Sequence, residues 1–224
     1  MSGDHIESLV EILQGGGVVA LPTDTFYCLA ACAIIDDAVR RVFQIKGRPA
    51  ATPVPLLIAE PDDVMKYAVD LSEPQQRVVS ELGRRFWPGP LSLVLKRSPG
   101  IPAAISAGGD TVALRVPDAP TVREVVRQLE APVTGTSANR SGDNPATSAA
   151  EVWEAFGAAV DAVWDGGKTP GGPPSTVLDL TASAPRILRA GAISEAKITE
   201  SLKAINSQSD EALAEEAPRA NAVK

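Results

Sequence analysis

The sequence predicts an α/β or mixed α+β fold, a single domain built around a large β-sheet. Segments with helical apolar spacing alternate with short apolar runs along the chain, the pattern of helices packed on a sheet. The chain has 224 residues, 44% of them hydrophobic, enough to bury one sizeable core. No internal repeat or linker interrupts the first 200 residues, so the domain is expected to span 1–205.

The elements follow in order. "HIESLVEILQGG" places Ile6, Leu9, Val10, Ile12 and Leu13 on one helical stripe that stops at Gly15 to Gly17. "GVVALPTD" reads as a short buried strand. "DDAVRRVFQIKG" opens with Asp36 and Asp37 and carries Ala38, Val39, Val42, Phe43 and Ile45 on a helical face, so Lys46 falls at a helix C-terminus. "VPLLIAE" is expected to be a strand, "EPDDVMKYAVD" a helix, and "SEPQQRVVSELGRRFW" a longer helix ended by "PGP". "LSLVLKR" and "TVALRVP" read as strands, "TVREVVRQLEA" as a helix, and "PVTGTSAN" as a strand running into a loop. "SAAEVWEAFG" is a helix capped by Ser148; "AVDAVWDGG", "STVLDLT" and "RILRAGAIS" read as late strands. From about residue 206 the acidic, Ala-rich end has little to bury, and 206–224 is expected to be a disordered or weakly helical tail.

Composition narrows the chemistry. No run approaches ~18 uninterrupted apolar residues, and "MSGDHIESLV" lacks a secretory layout, so the expectation is a cytoplasmic protein without a membrane segment. The single histidine, His5, leaves a serine or cysteine nucleophile without its usual base and rules against a triad hydrolase. Cys28 and Cys32 read as two reduced, buried thiols, and no metal-ligating set is expected. A net charge of −7 argues against a surface that coats nucleic acid.

Five loops carry polar clusters. "LPTDTFYCL" places Thr23, Asp24 and Thr25 at a strand end, where hydroxyls also serve as turn caps. "KGRPAATP" sets Lys46 and Arg48 on a stretch stiffened by Pro49, Pro53 and Pro55, suited to phosphate oxygens although it is no P-loop. In "DTVALRVPD", Arg115 points away from the face of Leu114 and Val116, toward solvent or a polar cavity. "TGTSANRSGDNPAT" offers Ser137 and Asn139 as neutral donors or as turn formers. "GGPPSTVLDL" and "ILRAGAIS" add Ser175 and Arg189. Cations and hydroxyls gathered at element ends point to a pocket for an anionic small molecule, a nucleotide above all.

The ordered motifs "GGVVALPTDTFYCLA", "KGRP", "FWPGPLSLVL", "DTVALRVPD", "TSANRSG", "PSTVLDL" and "ILRAGAIS" resemble the YrdC-type threonylcarbamoyl-AMP synthase family over residues 6 to about 200. The resemblance implies a twisted mixed sheet with helices around a deep, positively lined cavity. It implies an enzyme that condenses L-threonine, bicarbonate and ATP into L-threonylcarbamoyladenylate and pyrophosphate. The product would feed the threonylcarbamoyl modification of the tRNA adenosine beside the anticodon, through a downstream transferase complex. Carried over by position, Lys46, Arg48, Thr111, Ser137, Asn139 and Arg189 would hold ATP, with Lys46 and Arg48 catalytic. Thr23, Arg115 and Ser175 would hold threonine, Arg115 at its carboxylate. Mg²⁺ would ride on the phosphates, held by ATP and water. Lys46 and Arg48 are both expected in a solvent-lined cavity rather than the core.

Three positions depart from the family pattern: Phe26 where it often has Val, Cys28 where it has Gly, and Ala190 where it has Pro. Phe26 and Cys28 bear on the amino acid accepted more than on the use of ATP. The alternatives are a paralogue of the same fold acting on another amine or carbamoyl substrate, and a module that binds tRNA or double-stranded RNA.

Overall fold

The computed structural model describes residues 3–216. Helix α1 (Gly3–Gln14) buries Leu9, Val10 and Leu13 and stops at the glycines. The chain then forms a hairpin of strands β1 (Val18–Pro22) and β2 (Tyr27–Ala31), in register from Val18 opposite Ala31 to Pro22 opposite Tyr27. Strand β2 is buried on both faces, so its apolar run has no alternation to read, and the sequence pattern shows only the first strand of the pair.

Helix α2 (Asp36–Lys46) starts with two acids and ends at Gly47, whose φ of 60° lets the chain reverse. Strand β3 (Leu56–Leu57) is shorter than its apolar run. The helix expected over "EPDDVMKYAVD" is divided into a 3₁₀ turn at Pro61–Asp63 and a single turn, α3 (Val64–Tyr67). Its end at Ala68 bridges Arg97, which diverts the chain from helix. Helix α4 (Glu73–Phe86) carries a capping box between Ser72 and Gln75. Strands β4 (Leu91–Lys96) and β5 (Thr111–Arg115) flank a 3₁₀ turn at Ala103–Ser106. Helix α5 (Pro120–Leu129), strands β6 (Val133–Thr134) and β7 (Thr136–Ser137), and helix α6 (Ala149–Phe156) follow, with the Ser148 hydroxyl capping α6. Strands β8 (Ala162–Val163), β9 (Thr176–Asp179) and β10 (Arg186–Arg189) lead to helix α7 (Glu195–Glu216). Helix α7 crosses the boundary expected at 206; residues 217–224 of the expected tail lie outside the described residues.

The strands make two mixed sheets where the pattern suggested one. The four-stranded sheet has the order β7-β2-β1-β8, and the six-stranded sheet β10-β9-β4-β5-β3-β6. Strands β6 and β7 are separated by one residue yet belong to different sheets, so the chain passes between the sheets at Gly135. A side chain has no room there: a Cβ on Gly135 would stand 2.6 Å from Leu57 Cγ and 2.7 Å from Leu57 Cδ2.

Thr134, fully buried, joins the sheets. Its hydroxyl donates to the Leu29 carbonyl at 2.8 Å and accepts from the Ala31 amide at 3.0 Å. Both groups lie on β2, one at the last residue paired with β7 and one two residues beyond it, so a side chain completes what the ladder leaves open. Apolar clusters fill the rest, one beneath the six-stranded sheet against α4 and α7 and one on each face of the four-stranded sheet.

Thr134→Val keeps the shape and orphans both backbone groups. It is expected to cost about 1–3 kcal/mol for each group left unpaired, read as a lower urea midpoint, whereas an unchanged midpoint would show that the hydroxyl does not carry the joint.

Candidate active site

The seam between the sheets opens into a cavity lined by Thr23, Thr25, Phe26, Tyr27, Cys28 and Ser137 from the hairpin side, and by Arg48, Leu57, Arg115, Ser175 and Arg189 from the other. Each group arrives for a local reason. Strand alternation turns Leu114 and Val116 into the core and leaves Arg115 on the opposite face, and that face is the cavity rather than solvent. Arg115 Nε donates to the Gly89 carbonyl at 2.9 Å, presented by the "FWPGP" turn, and Nη2 donates to Asp24 Oδ1 at 2.5 Å. The resulting ion pair is almost entirely enclosed, with side-chain exposures of 7% and 13%.

Thr23 is buried and organises the hairpin turn. Its hydroxyl donates to the Phe26 carbonyl at 2.8 Å and accepts from the amides of Thr25 and Phe26. With its one hydrogen committed, the 3.0 Å contact between the two threonine hydroxyls is donated by Thr25. Ser175, also buried, shares its hydroxyl with Ser92 at 3.0 Å and with Arg189 Nη2 at 2.9 Å. Arg189 further grips the Ser175 carbonyl through Nε and Nη2.

Arg48 lines the cavity, as expected, held by its own loop through the Thr52 and Pro53 carbonyls at 3.2 and 2.7 Å. Lys46 departs from the expectation: it is 2% exposed and lies behind the cavity wall. Helix α2 delivers it to the loop after β7, where its Nζ donates to the Ser137 carbonyl, to the Asn139 carbonyl at 2.8 Å and to Asn139 Oδ1 at 3.2 Å. An ammonium with three acceptors at hand is drawn inward rather than left in water.

Asn139 is occupied in the same loop. Its Oδ1 accepts from the Ser137 hydroxyl at 2.6 Å, and its Nδ2 donates to the carbonyls of Arg140 and Asp143. Lys46 and Asn139 therefore shape the wall, and Ser137 is the member of the "TSAN" segment that lines the cavity. Thr111 does not join the group. It lies on the same strand face as Arg115 but four residues away, about 13 Å along β5, beside Asp70, Lys96 and Thr181 in a separate groove.

The cations repel one another in series. Burial first, and then Arg48, push the Lys46 ammonium down to about 8. Desolvation and then Arg189 lower Arg48; desolvation and then Arg115 lower Arg189. A site that holds positive charges against their repulsion is prepared for an anion. The Cys28 thiol, on the same wall, is pushed up to about 12 by burial and is therefore inert as a nucleophile near neutral pH. Among the described residues no group of His, Cys, Asp or Glu forms a metal cage, and no helix is long and apolar enough to cross a membrane.

Sequence reasoning counted Asp24 among turn hydroxyls and overlooked its pairing. A signal was available, because an arginine inside a buried strand needs a carboxylate or carbonyl partner, and Asp24 sits between two buried strands. Gly89 and Gly135 contribute through backbone position, which composition does not announce.

A family model, Sua5_yciO_yrdC, described as "Telomere recombination", matches residues 11–191. A "Threonylcarbamoyl-AMP synthase" of Pyrococcus abyssi is 40% identical over 181 residues, 81% of this chain and 52% of that protein. One of Bacillus subtilis is 35% identical over 195 residues, 87% of this chain and 55% of that protein. The crystal structure of P. abyssi Sua5 complexed with L-threonine superposes with a TM-score of 0.85 at 37% identity, covering 90% of this chain and 58% of that one. The chain thus spans about half the length of these relatives.

Lys46 titrates well below its value of 10.5 in an unfolded chain. Between about 8 and 10.5 the unfolded state binds more protons, so the contribution of Lys46 to stability is lowest below pH 8 and rises through that window. The unfolding free energy of wild type minus that of Lys46→Met is expected to grow between pH 7.5 and 10 in urea titrations. A difference that stays flat or falls would place Lys46 outside the buried network.

Proposed function

The chain belongs to the Sua5/YciO/YrdC family, whose model covers residues 11–191, and on that premise we propose that it is a threonylcarbamoyl-AMP synthase. It condenses L-threonine, bicarbonate or CO₂, and ATP into L-threonylcarbamoyladenylate and pyrophosphate. The observation that carries this reading is the convergence of Arg48, Arg115 and Arg189 with the hydroxyls of Thr23, Ser137 and Ser175 on one cavity. The names of the relatives, and the threonine held by the P. abyssi protein, point the same way.

Threonine's amine and bicarbonate give a carbamate with loss of water, and one carbamate oxygen attacks the α-phosphorus in line as pyrophosphate leaves. The reaction asks for placement and charge neutralisation more than for acid–base groups, which suits a cavity of arginines and hydroxyls. Arg48 and Arg189, with the Ser137 hydroxyl, face the phosphates; Arg115, Thr23 and Ser175 hold the amino acid. Lys46 and Asn139 act from behind as positioning residues, adding the field of a buried cation. Thr111 has no part in this assignment, since it lies in another groove. Among the described residues no carboxylate lines the cavity, and Asp24 behind it is paired with Arg115, so Mg²⁺ arrives on the nucleotide and is held by phosphates and water. The product passes to a tRNA threonylcarbamoyl-transferase complex in the cytoplasm, with at most weak direct contact to RNA.

A second reading, adenylation of a carbamate made from a different amine, rests on Phe26 and Cys28, which both line the cavity.

Incubation with ATP, Mg²⁺, bicarbonate and each amino acid in turn tests the proposal. Pyrophosphate release is expected with threonine, and Arg48→Ala or Arg189→Ala should each lower kcat/KM by about 100-fold or more with little change in Tm. Release that follows another amine would overturn the threonine assignment and leave adenylation standing; no release with any amine would overturn both.

A further inference from the structure

Strand β4 carries one hydroxyl in an apolar run, "LSLVLK". Leu91, Leu93 and Leu95 enter the core beneath the six-stranded sheet, and Leu93 stands opposite Leu114 of β5. Ser92 is therefore on the other face, the face of Arg115. It does not line the cavity; it lies buried behind Ser175, with the two Oγ atoms 3.0 Å apart. Among the described residues its side chain has no other hydrogen-bond partner.

That single partner fixes which hydroxyl donates. If Ser175 gave its hydrogen to Ser92, the Ser92 hydrogen would have no acceptor in a place closed to water, and a buried donor left unmade is costly. Ser92 therefore donates to Ser175. Arg189 Nη2 donates to the same oxygen at 2.9 Å, so both lone pairs of the Ser175 Oγ are filled. The Ser175 hydrogen goes to no described group, and Ser175 lines the cavity. Its hydroxyl is thus held as a donor to an anion and cannot turn to accept from an ammonium.

We propose that Ser92 is a positioning residue for the adenylation: it touches no reactant, and by donating to Ser175 it aims that hydroxyl's hydrogen at an anionic oxygen of the substrate. Arg189 supplies charge and Ser92 supplies direction. Two donors converging on one oxygen also polarise its O–H, which strengthens the bond that it makes forward. The inference rests on the function proposed above and adds to it a residue that the ligand never meets.

Threonine and valine have the same shape and both suit a strand, so Ser92→Thr and Ser92→Val separate the hydroxyl from any effect of added volume. The readout is pyrophosphate release from ATP, Mg²⁺, bicarbonate and threonine, with Tm measured alongside. Ser92→Val is expected to give a kcat/KM about three- to tenfold below that of Ser92→Thr, the worth of one neutral hydrogen bond. Ser92→Ala, which adds no volume, should match Ser92→Val. In a Ser175→Ala background the threonine and valine variants should differ by less than about twofold, because Ser92 then has no hydroxyl to aim. A merely structural hydroxyl would lower Tm, and would lower activity by the same factor in both backgrounds. Equal kcat/KM for Ser92→Thr and Ser92→Val overturns the proposal, as does a difference between them that persists without Ser175. Where wild type uses a different amine, the threonine assignment fails and the same comparison, run with that amine, decides Ser92. No release from wild type with any amine overturns the function itself, a result that needs no variant and is thereby told apart from a failure of Ser92.

Discussion

A buried ammonium fixes the rim of the cavity. Lys46 stands at the last turn of α2, and its side chain holds the Ser137 and Asn139 carbonyls, while its own carbonyl accepts from the Ser141 amide at 2.9 Å. The end of the helix and the loop after β7 are locked from both directions. The left-handed turn at Gly47 follows at once and sends Arg48 into the cavity lining. One residue is thereby committed to the wall and its neighbour but one to the open space. Removing the amine would leave three oxygens facing one another in a dry place, where unmade hydrogen bonds cost most.

The second constraint is the seam. A single continuous sheet would offer one face to any ligand, whereas here the chain leaves one sheet and enters the other across Gly135. Cys28 and Ser137 come to the cavity from the four-stranded sheet, and Arg115 and Arg189 from the six-stranded one. The absence of a side chain at Gly135 is what lets Leu57 close beneath the crossing. Burial first, and then the neighbouring cation, lowers the basicity of Arg48 and Arg189 in the cavity and of Lys46 behind it. Burial of the Arg115–Asp24 pair at the inner end gives the site two characters, cationic toward the mouth and of mixed sign within.

Much of this was legible in the residues. Helices with apolar stripes and acidic first turns, such as α2 and α4, are plain from spacing and caps, and of the residues that the motifs single out Arg48, Arg115, Ser137, Ser175, Arg189 and Thr23 line one cavity. The misses have physical causes. Strand β2 is buried on both faces and shows no period. The division into two sheets turns on one glycine between two-residue strands, too short a signal for any pattern. Lys46 was placed among ligand-facing groups because a lysine in a polar motif resembles a surface cation; its burial depends on carbonyls about ninety residues away in sequence. Thr111 shares the face of Arg115, and only distance along the strand separates it from the site.

The central claim is that this seam is a triphosphate site clamped by arginines from both sides and steadied by a cation that never touches the ligand. A crystal structure with a non-hydrolysable ATP analogue tests it most directly. The account predicts phosphate oxygens within hydrogen-bond reach of Arg48, Arg189 and the Ser137 hydroxyl, with Lys46 still bonded to the Ser137 and Asn139 carbonyls. Phosphates bound elsewhere on the surface, or Lys46 withdrawn from that loop to hold them itself, would contradict it.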